Sequence, residues 1–84
     1  MDMASNTFHL TIASVGEQLF DGGVSSATFP GAEGELTVLA HHEPLVTTLA
    51  GGTITVRSEG AEAREFSVKS GILEISGNRA VVLL

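Results

Sequence analysis

Residues that favour turns recur about every eight positions along this chain, a spacing typical of all-β domains. Between the Gly, Pro and Asn positions, apolar side chains alternate with polar ones. Successive side chains of a strand point to opposite faces, so this alternation indicates short strands with one buried face. No segment shows the periodicity of a helix. The sequence therefore predicts an all-β chain without a long helix.

We expect about eight to ten short strands. They are predicted at residues 8–14, 18–20, 24–29, 35–39, 45–49, 53–58, 64–69, 72–76 and 79–84. A turn is predicted at Asp21-Gly22-Gly23, and pairing should stop at Pro30-Gly31, where proline removes a backbone donor and a loop over 30–34 follows. Gly77-Asn78 predicts a tight hairpin, because both residues tolerate left-handed backbone angles.

The strand pattern favours a flattened antiparallel β-sandwich, with two sheets packed face to face. A chain of 84 residues is expected to form one domain over 1–84, with a flexible N-terminus at 1–6. The largest candidate core side chains are Phe8, Phe20, Phe29 and Phe66.

The charges are unevenly distributed. The formal net charge is −6, and residues 1–56 hold six acidic groups and no Lys or Arg. Nucleic-acid binding depends on clustered cations, so a nucleic-acid partner is not expected. A basic protein surface is the better candidate partner. The absence of cysteine excludes disulfides, thiolate zinc sites and cysteine nucleophiles within the chain.

Residues 80–84 form the longest unbroken apolar stretch, far shorter than the roughly 20 residues that a spanning helix needs. Direct membrane insertion is therefore not expected. The opening segment MDMASNT lacks the basic and apolar regions of a secretion signal, which predicts a cytoplasmic location.

The polar cluster of His41, His42 and Glu43, with His9 elsewhere, is the strongest candidate for a metal site or a general base. Neighbouring side chains on extended backbone diverge, and the spacing matches no strong zinc motif. The serines lie outside any nucleophile elbow, and the glycine-rich segments lack the lysine of a phosphate loop. The residues thus predict no catalytic group, no metal and no cofactor, and favour a binding module over an enzyme.

An ordered series of short motifs resembles a known family. It comprises an opening strand ending at Ser14, Phe20 before a glycine, Gly-Ala-Glu-Gly-Glu-Leu at 31–36, His-Glu-Pro-Leu at 42–45, a glycine before the alternating segment 52–56, and Ser-Gly-Ile-Leu-Glu-Ile at 70–75. Together these resemble the N-terminal domain of the epsilon subunit of F-type ATP synthases, called delta in mitochondria. The resemblance covers nearly the whole chain and implies a sandwich of about ten strands.

The resemblance implies a non-catalytic role in the central stalk of a rotary ATP synthase. Such a subunit binds gamma and the c-ring and couples proton translocation to ATP synthesis. It is peripheral, in the F1 sector on the cytoplasmic side of the inner (plasma) membrane. By the same resemblance, the c-ring-facing residues are Glu33, Gly34 and Glu35. The gamma-facing residues are Ser14, His42, Pro44, Leu45, Val46 and Thr47.

The sequence departs from the family pattern in two places. Ala40-His41 stands where the family commonly has Pro-Gly, and the chain ends at Leu84, where family members continue into a helical hairpin that in some cases binds ATP. We therefore expect no nucleotide binding. Two other readings stay open: a stand-alone β-sandwich module that binds a protein or ligand, and a small metal-dependent enzyme built on the histidines.

Overall fold

The computed structural model describes residues 6–84, which form nine strands and no helix. The strands are β1 (Phe8–Ser14), β2 (Glu17–Val24), β3 (Ser26–Gly31), β4 (Gly34–Leu39), β5 (Leu45–Leu49), β6 (Gly52–Arg57), β7 (Arg64–Val68), β8 (Gly71–Ser76) and β9 (Arg79–Leu83). The predicted all-β class is confirmed. The predicted flexible N-terminus at 1–6 falls outside the described residues, apart from Asn6.

The strands form one curled sheet that bends into two layers. The order is β2-β1-β9-β8-β5-β3-β6-β7, and β4 pairs with β3. Gly31 and Leu49 are the one register pair between β3 and β5 in the described residues, so the sheet bends at that junction. We call β2-β1-β9-β8-β5 the first layer and β4-β3-β6-β7 the second layer. One pair departs from the expected antiparallel arrangement, because β1 and β9 run parallel.

The core lies between the two layers. Alternate positions of the strands are buried, as the period of two requires. Its hydrophobic members are Phe8, Leu10, Ile12, Val24, Ala27, Phe29, Val38, Leu49, Ile54, Val56, Val68, Leu73, Ile75, Ala80 and Val82. Of the four predicted core rings, Phe8 and Phe29 are buried, whereas Phe20 and Phe66 are only partly buried.

Phe20 and Phe66 lie at the open edge of the sandwich. Phe20 belongs to β2 and Phe66 to β7, the two ends of the strand order. Their rings meet edge to face with centroids 5.9 Å apart, and the Arg64 guanidinium lies 5.2 Å from both ring centroids. The two rings stay partly exposed because their strands end the sheet, and the cation and ring cluster covers this edge of the core.

Two predicted breaks are wrong. Asp21-Gly22-Gly23 is not a turn, because these residues continue β2 opposite Thr11, Leu10 and His9 of β1. Pairing does not stop at Pro30-Gly31 either, since β3 continues through Gly31. Pro30 has no N–H to donate, but its carbonyl accepts a hydrogen bond from the Ala50 N–H at 2.7 Å.

The predicted hairpin at Gly77-Asn78 is confirmed, with φ of 57° and 60° and with Ser76 paired to Arg79. Asn78 does more than turn the chain. Its Oδ1 accepts from the His41 N–H at 2.7 Å and its Nδ2 donates to the Thr7 carbonyl at 3.0 Å. The side chain thus joins the β4–β5 loop to the start of β1.

Replacing Asn78 by glycine keeps the left-handed turn but removes both side-chain hydrogen bonds. We expect a loss of about 1–3 kcal/mol in the free energy of unfolding, the sum of two such bonds. Asn78→Ala should cost about 1 kcal/mol more, because alanine is strained at positive φ. Urea denaturation of the two variants separates the loss of the hydrogen bonds from the strain at positive φ. Wild-type stability of Asn78→Gly would contradict the linking role.

Candidate functional site

The outer face of the first layer carries an exposed apolar patch, which we define as Ala13, Val46, Ile72, Val81 and Leu83. The Val46, Ile72 and Leu83 side chains are 68%, 47% and 57% exposed. Strand register places Leu83 between Ala13 and Ile72. Val81 lies on the next row, separated from Val46 by Glu74. Contiguous exposed apolar side chains mark surfaces that contact other molecules.

The outer face of the second layer is different. One of its rows runs through Thr37, Thr28, Thr55 and Glu65 on neighbouring strands, and the Thr28 and Thr37 hydroxyls lie 3.1 Å apart. The exposed Leu39 is an exception at the end of β4. This face suits contact with water, so the apolar patch of the first layer is the stronger candidate for a protein-binding surface.

A polar group borders the apolar patch on β1 and β2. Asp21 Oδ1 accepts from His9 Nε2 at 2.7 Å and from the Thr11 hydroxyl at 2.8 Å. The hydrogen bond from His9, followed by that from Thr11 and the nearby charges of His9 and Arg79, lowers the pKa of the Asp21 carboxyl below 3.8. Asp21 therefore carries its negative charge at neutral pH.

The downward shift of the Asp21 pKa can be tested. A carboxyl with a depressed folded pKa stabilises the fold above its unfolded pKa, and this stabilisation is lost as the pH falls below about 3.8. We expect His9→Leu to raise the pKa of Asp21 and Thr11→Val to raise it less. Carbon-13 NMR titration of the Asp21 carboxyl measures both. An unchanged pKa in His9→Leu would contradict the geometry.

The residues predicted to face the c-ring lie together. Glu33 lies in the connection between β3 and β4, Gly34 and Glu35 begin β4, and all three are exposed at the tip of this hairpin. The Ala32 N–H donates to the Thr48 carbonyl at 3.0 Å, which holds the base of this tip against β5. The tip thus projects two carboxylates from one end of the molecule, where β5 also ends.

The residues predicted to face gamma are spread over the molecule. Ser14 ends β1, whereas His42 and Pro44 precede β5 at the opposite end of the first layer. Within β5 the side chains alternate, with Val46 on the outer face and Leu45 and Thr47 half-buried toward the core. Of this set only Val46 belongs to the apolar patch, and its other members were missed by sequence reasoning.

The histidine loop does not assemble a metal site within residues 6–84, where no group of three candidate ligands comes together. His41 has a left-handed φ of 65°, so the loop is not extended as the sequence argument assumed. His42 Nδ1 donates to the Glu43 carbonyl at 2.7 Å. A shallow depression of about 380 Å³ lies beside this loop, and among the described residues that line it His41 is the ionisable one.

None of the described residues forms a helix of the length and apolarity required to cross a membrane.

Comparison with known families gives a match over nearly the whole chain. Residues 7–84 match the family described as ATP synthase, Delta/Epsilon chain, beta-sandwich domain. The ATP synthase epsilon chain of Wolbachia pipientis wMel is 36% identical over 78 residues, which cover 93% of this chain and 68% of that protein. The epsilon chain of Caulobacter vibrioides is 35% identical over 75 residues, covering 89% and 86% respectively.

A further relative is epsilon chain 1 of Methylococcus capsulatus, 35% identical over 77 residues that cover 92% of this chain and 55% of the relative. Among solved structures, a chain of the Euglena gracilis mitochondrial ATP synthase shares the fold with a TM-score of 0.86 at 23% identity. A chain of the Tetrahymena thermophila mitochondrial ATP synthase central stalk and c-ring shares the fold with a TM-score of 0.74 at 13% sequence identity. The match to the Euglena chain covers 99% of this chain and 59% of that one. The match to the Tetrahymena chain covers 89% of this chain and 60% of that one.

Proposed function

This chain belongs to the ATP synthase delta/epsilon chain family, and we propose on that premise that it is a non-catalytic subunit of the central stalk. In this role it binds gamma and the c-ring, so that proton translocation is coupled to ATP synthesis on other subunits. The exposed apolar patch carries this proposal, because contiguous exposed apolar side chains mark surfaces that bind other proteins. The neighbouring polar group of His9, Thr11 and Asp21 would help to orient a bound protein and is not assigned a catalytic role.

Gamma is the partner proposed for the outer face of the first layer. Val46, Ile72 and Leu83 supply apolar area there, and burial stabilises a complex by roughly 25 cal/mol per Å² of apolar surface removed from water, before the costs of association. The net charge of −6 favours a basic surface on gamma and would speed encounter. Ser14, His42, Pro44, Leu45 and Thr47 remain proposed contacts around this face.

The c-ring is the partner proposed for the hairpin tip at Glu33, Gly34 and Glu35. Two exposed carboxylates at the tip of a hairpin would orient the subunit on basic ring loops. The subunit would then sit peripherally in the F1 sector, on the cytoplasmic side of the membrane. Nucleotide, metal and cofactor binding are not part of the proposal.

The deciding experiment is assembly with gamma. Purified chain mixed with the gamma subunit of the same organism should elute from a size-exclusion column as a one-to-one complex at micromolar concentration. Separate elution of the two proteins would overturn the proposal and favour a stand-alone β-sandwich binding module. Metal analysis of tag-free protein tests the enzyme reading, which a stoichiometric ion resistant to dialysis would support.

Glu35→Lys reverses one charge at the exposed hairpin tip. We expect weaker assembly with the c-ring and a melting temperature close to that of the wild type, since an exposed charge contributes little to the core. Reconstitution of the F1 sector with membranes that contain the ring measures the first effect, and circular dichroism the second. If the variant unfolds, the assignment of Glu35 to an exposed position at the hairpin tip is wrong.

A further inference from the structure

Asp21 has an unusual position for an exposed carboxylate. Both of its intramolecular hydrogen bonds, from His9 and Thr11, go to Oδ1. No donor from residues 6–84 reaches Oδ2. The carboxylate is therefore oriented by two neighbours while one oxygen keeps its acceptor capacity.

The strand register fixes where this free oxygen lies. Asp21 is opposite Thr11, and Thr11 is opposite Val81 of the apolar patch. Neighbouring strands are about 4.8 Å apart, so Asp21 stands roughly 10 Å from Val81, at the rim of the patch. A partner that covers the patch would extend over Asp21 or end beside it.

The charges around Asp21 are few. His9 lies on the adjacent strand, and Arg79 of β9 is opposite His9 on the same outer face. Arg79 is close enough to lower the pKa of Asp21, yet His9–Asp21 is the single ion pair within residues 6–84. Among the described residues, Asp21 is thus left without an ion pair to a Lys or Arg side chain.

We propose that Asp21 is the specificity anchor of the gamma interface, and that its Oδ2 receives an Arg or Lys side chain of gamma. His9 and Thr11 are positioning residues, since they hold the carboxylate in one orientation before the partner arrives. A preoriented acceptor loses less conformational entropy on binding, so the contact adds more affinity than a free surface carboxylate would. This inference rests on the proposed function and adds the chemistry of the partner group.

The test compares two isosteric substitutions on opposite faces of the molecule. Asp21→Asn removes the anchor charge, whereas Glu65→Gln removes one charge from the outer face of the second layer. We expect Asp21→Asn to weaken gamma binding about tenfold, the loss typical of one hydrogen bond to a charged group. Glu65→Gln should bind like the wild type. Isothermal titration calorimetry of both variants against purified gamma measures the affinities.

Salt dependence provides a second readout, which a merely structural role would not change. Raising sodium chloride from about 50 to 500 mM should weaken wild-type binding more than Asp21→Asn binding, because screening acts on the charge that the variant lacks. Thr11→Val should lose affinity less than Asp21→Asn does. Equal affinities and equal salt slopes in wild type and Asp21→Asn would overturn the anchor while gamma binding stands. Absence of wild-type binding would overturn the proposed function as well.

Discussion

Replacing Phe29 by alanine should lower the free energy of unfolding by about 3–5 kcal/mol, the largest stability effect expected of a single residue here. Phe29 is 0% exposed, at the centre of β3, and its strand pairs with β4, β5 and β6. The substitution removes a ring from between the two layers and leaves a cavity that the paired strands cannot close. Domains of this size are marginally stable, so much of the population should unfold at physiological temperature.

Phe66→Ala is the matched control for Phe29→Ala. The sequence ranks the two rings alike, and from it alone Phe66→Ala is also expected to cost about 3–5 kcal/mol. The structure lowers that expectation to about 1–2 kcal/mol, because Phe66 is half-buried beside Arg64 at the open edge. Urea denaturation followed by circular dichroism measures both. If Phe29→Ala does not fold, Phe29→Leu, which keeps most of the volume, gives a measurable smaller loss. Equal losses at the two positions would contradict the layered packing.

The difference between the two phenylalanines shows how far the sequence predicts the fold. Local sequence patterns correctly identify β1, β5 and the β8–β9 hairpin, because strand periodicity, apolar runs and turn chemistry are local properties. The depth at which a ring is buried depends on whether its strand is central or at an edge. That order is set by non-local pairing, including the parallel contact of β1 with β9, which no local pattern encodes.

The same distinction applies to segment 21–23. Asp21-Gly22-Gly23 has turn composition, and the sequence predicts a turn. In the folded chain Asp21 and Gly23 lie on the outer face of β2, and the glycine at position 22 lies on the core side opposite Leu10. Long-range pairing with β1 therefore overrides local turn preference. The hydrogen bonds of Asp21 with His9 and Thr11 follow from that pairing, so they could not be derived from the segment alone.

The candidate interface was only partly predictable. The resemblance supplied Val46 and the hairpin tip at Glu33–Glu35, while Ile72, Val81 and Leu83 were missed. A signal for them was present, since β8 and β9 carry apolar residues at positions that should face solvent. A strand that is apolar on both faces within a sandwich has a second surface to bury. Alternation arguments overlook this signal because they use the apolar positions to locate the core.

Two lysines placed on the apolar patch should have the largest effect on gamma binding. Val46→Lys combined with Leu83→Lys puts two charges on exposed apolar positions of the patch. We expect gamma binding to weaken at least about a hundredfold, because a central apolar contact is lost and two cations are desolvated against a basic partner. Folding should be nearly unchanged, since both side chains already face solvent and the new lysine on β5 would stand opposite Glu74 across the strand pair.

The control for this variant is Thr37→Lys combined with Ser67→Lys on the outer face of the second layer. Both doubles add two positive charges to the same net charge of −6, so long-range attraction to a basic partner falls equally in each. Calorimetric titration with gamma should show near wild-type affinity for the control and strong loss for the patch variant. Equal loss in both would mean that net charge governs binding. Loss in the control alone would place gamma on the second layer, because only the face that the partner covers distinguishes the two variants.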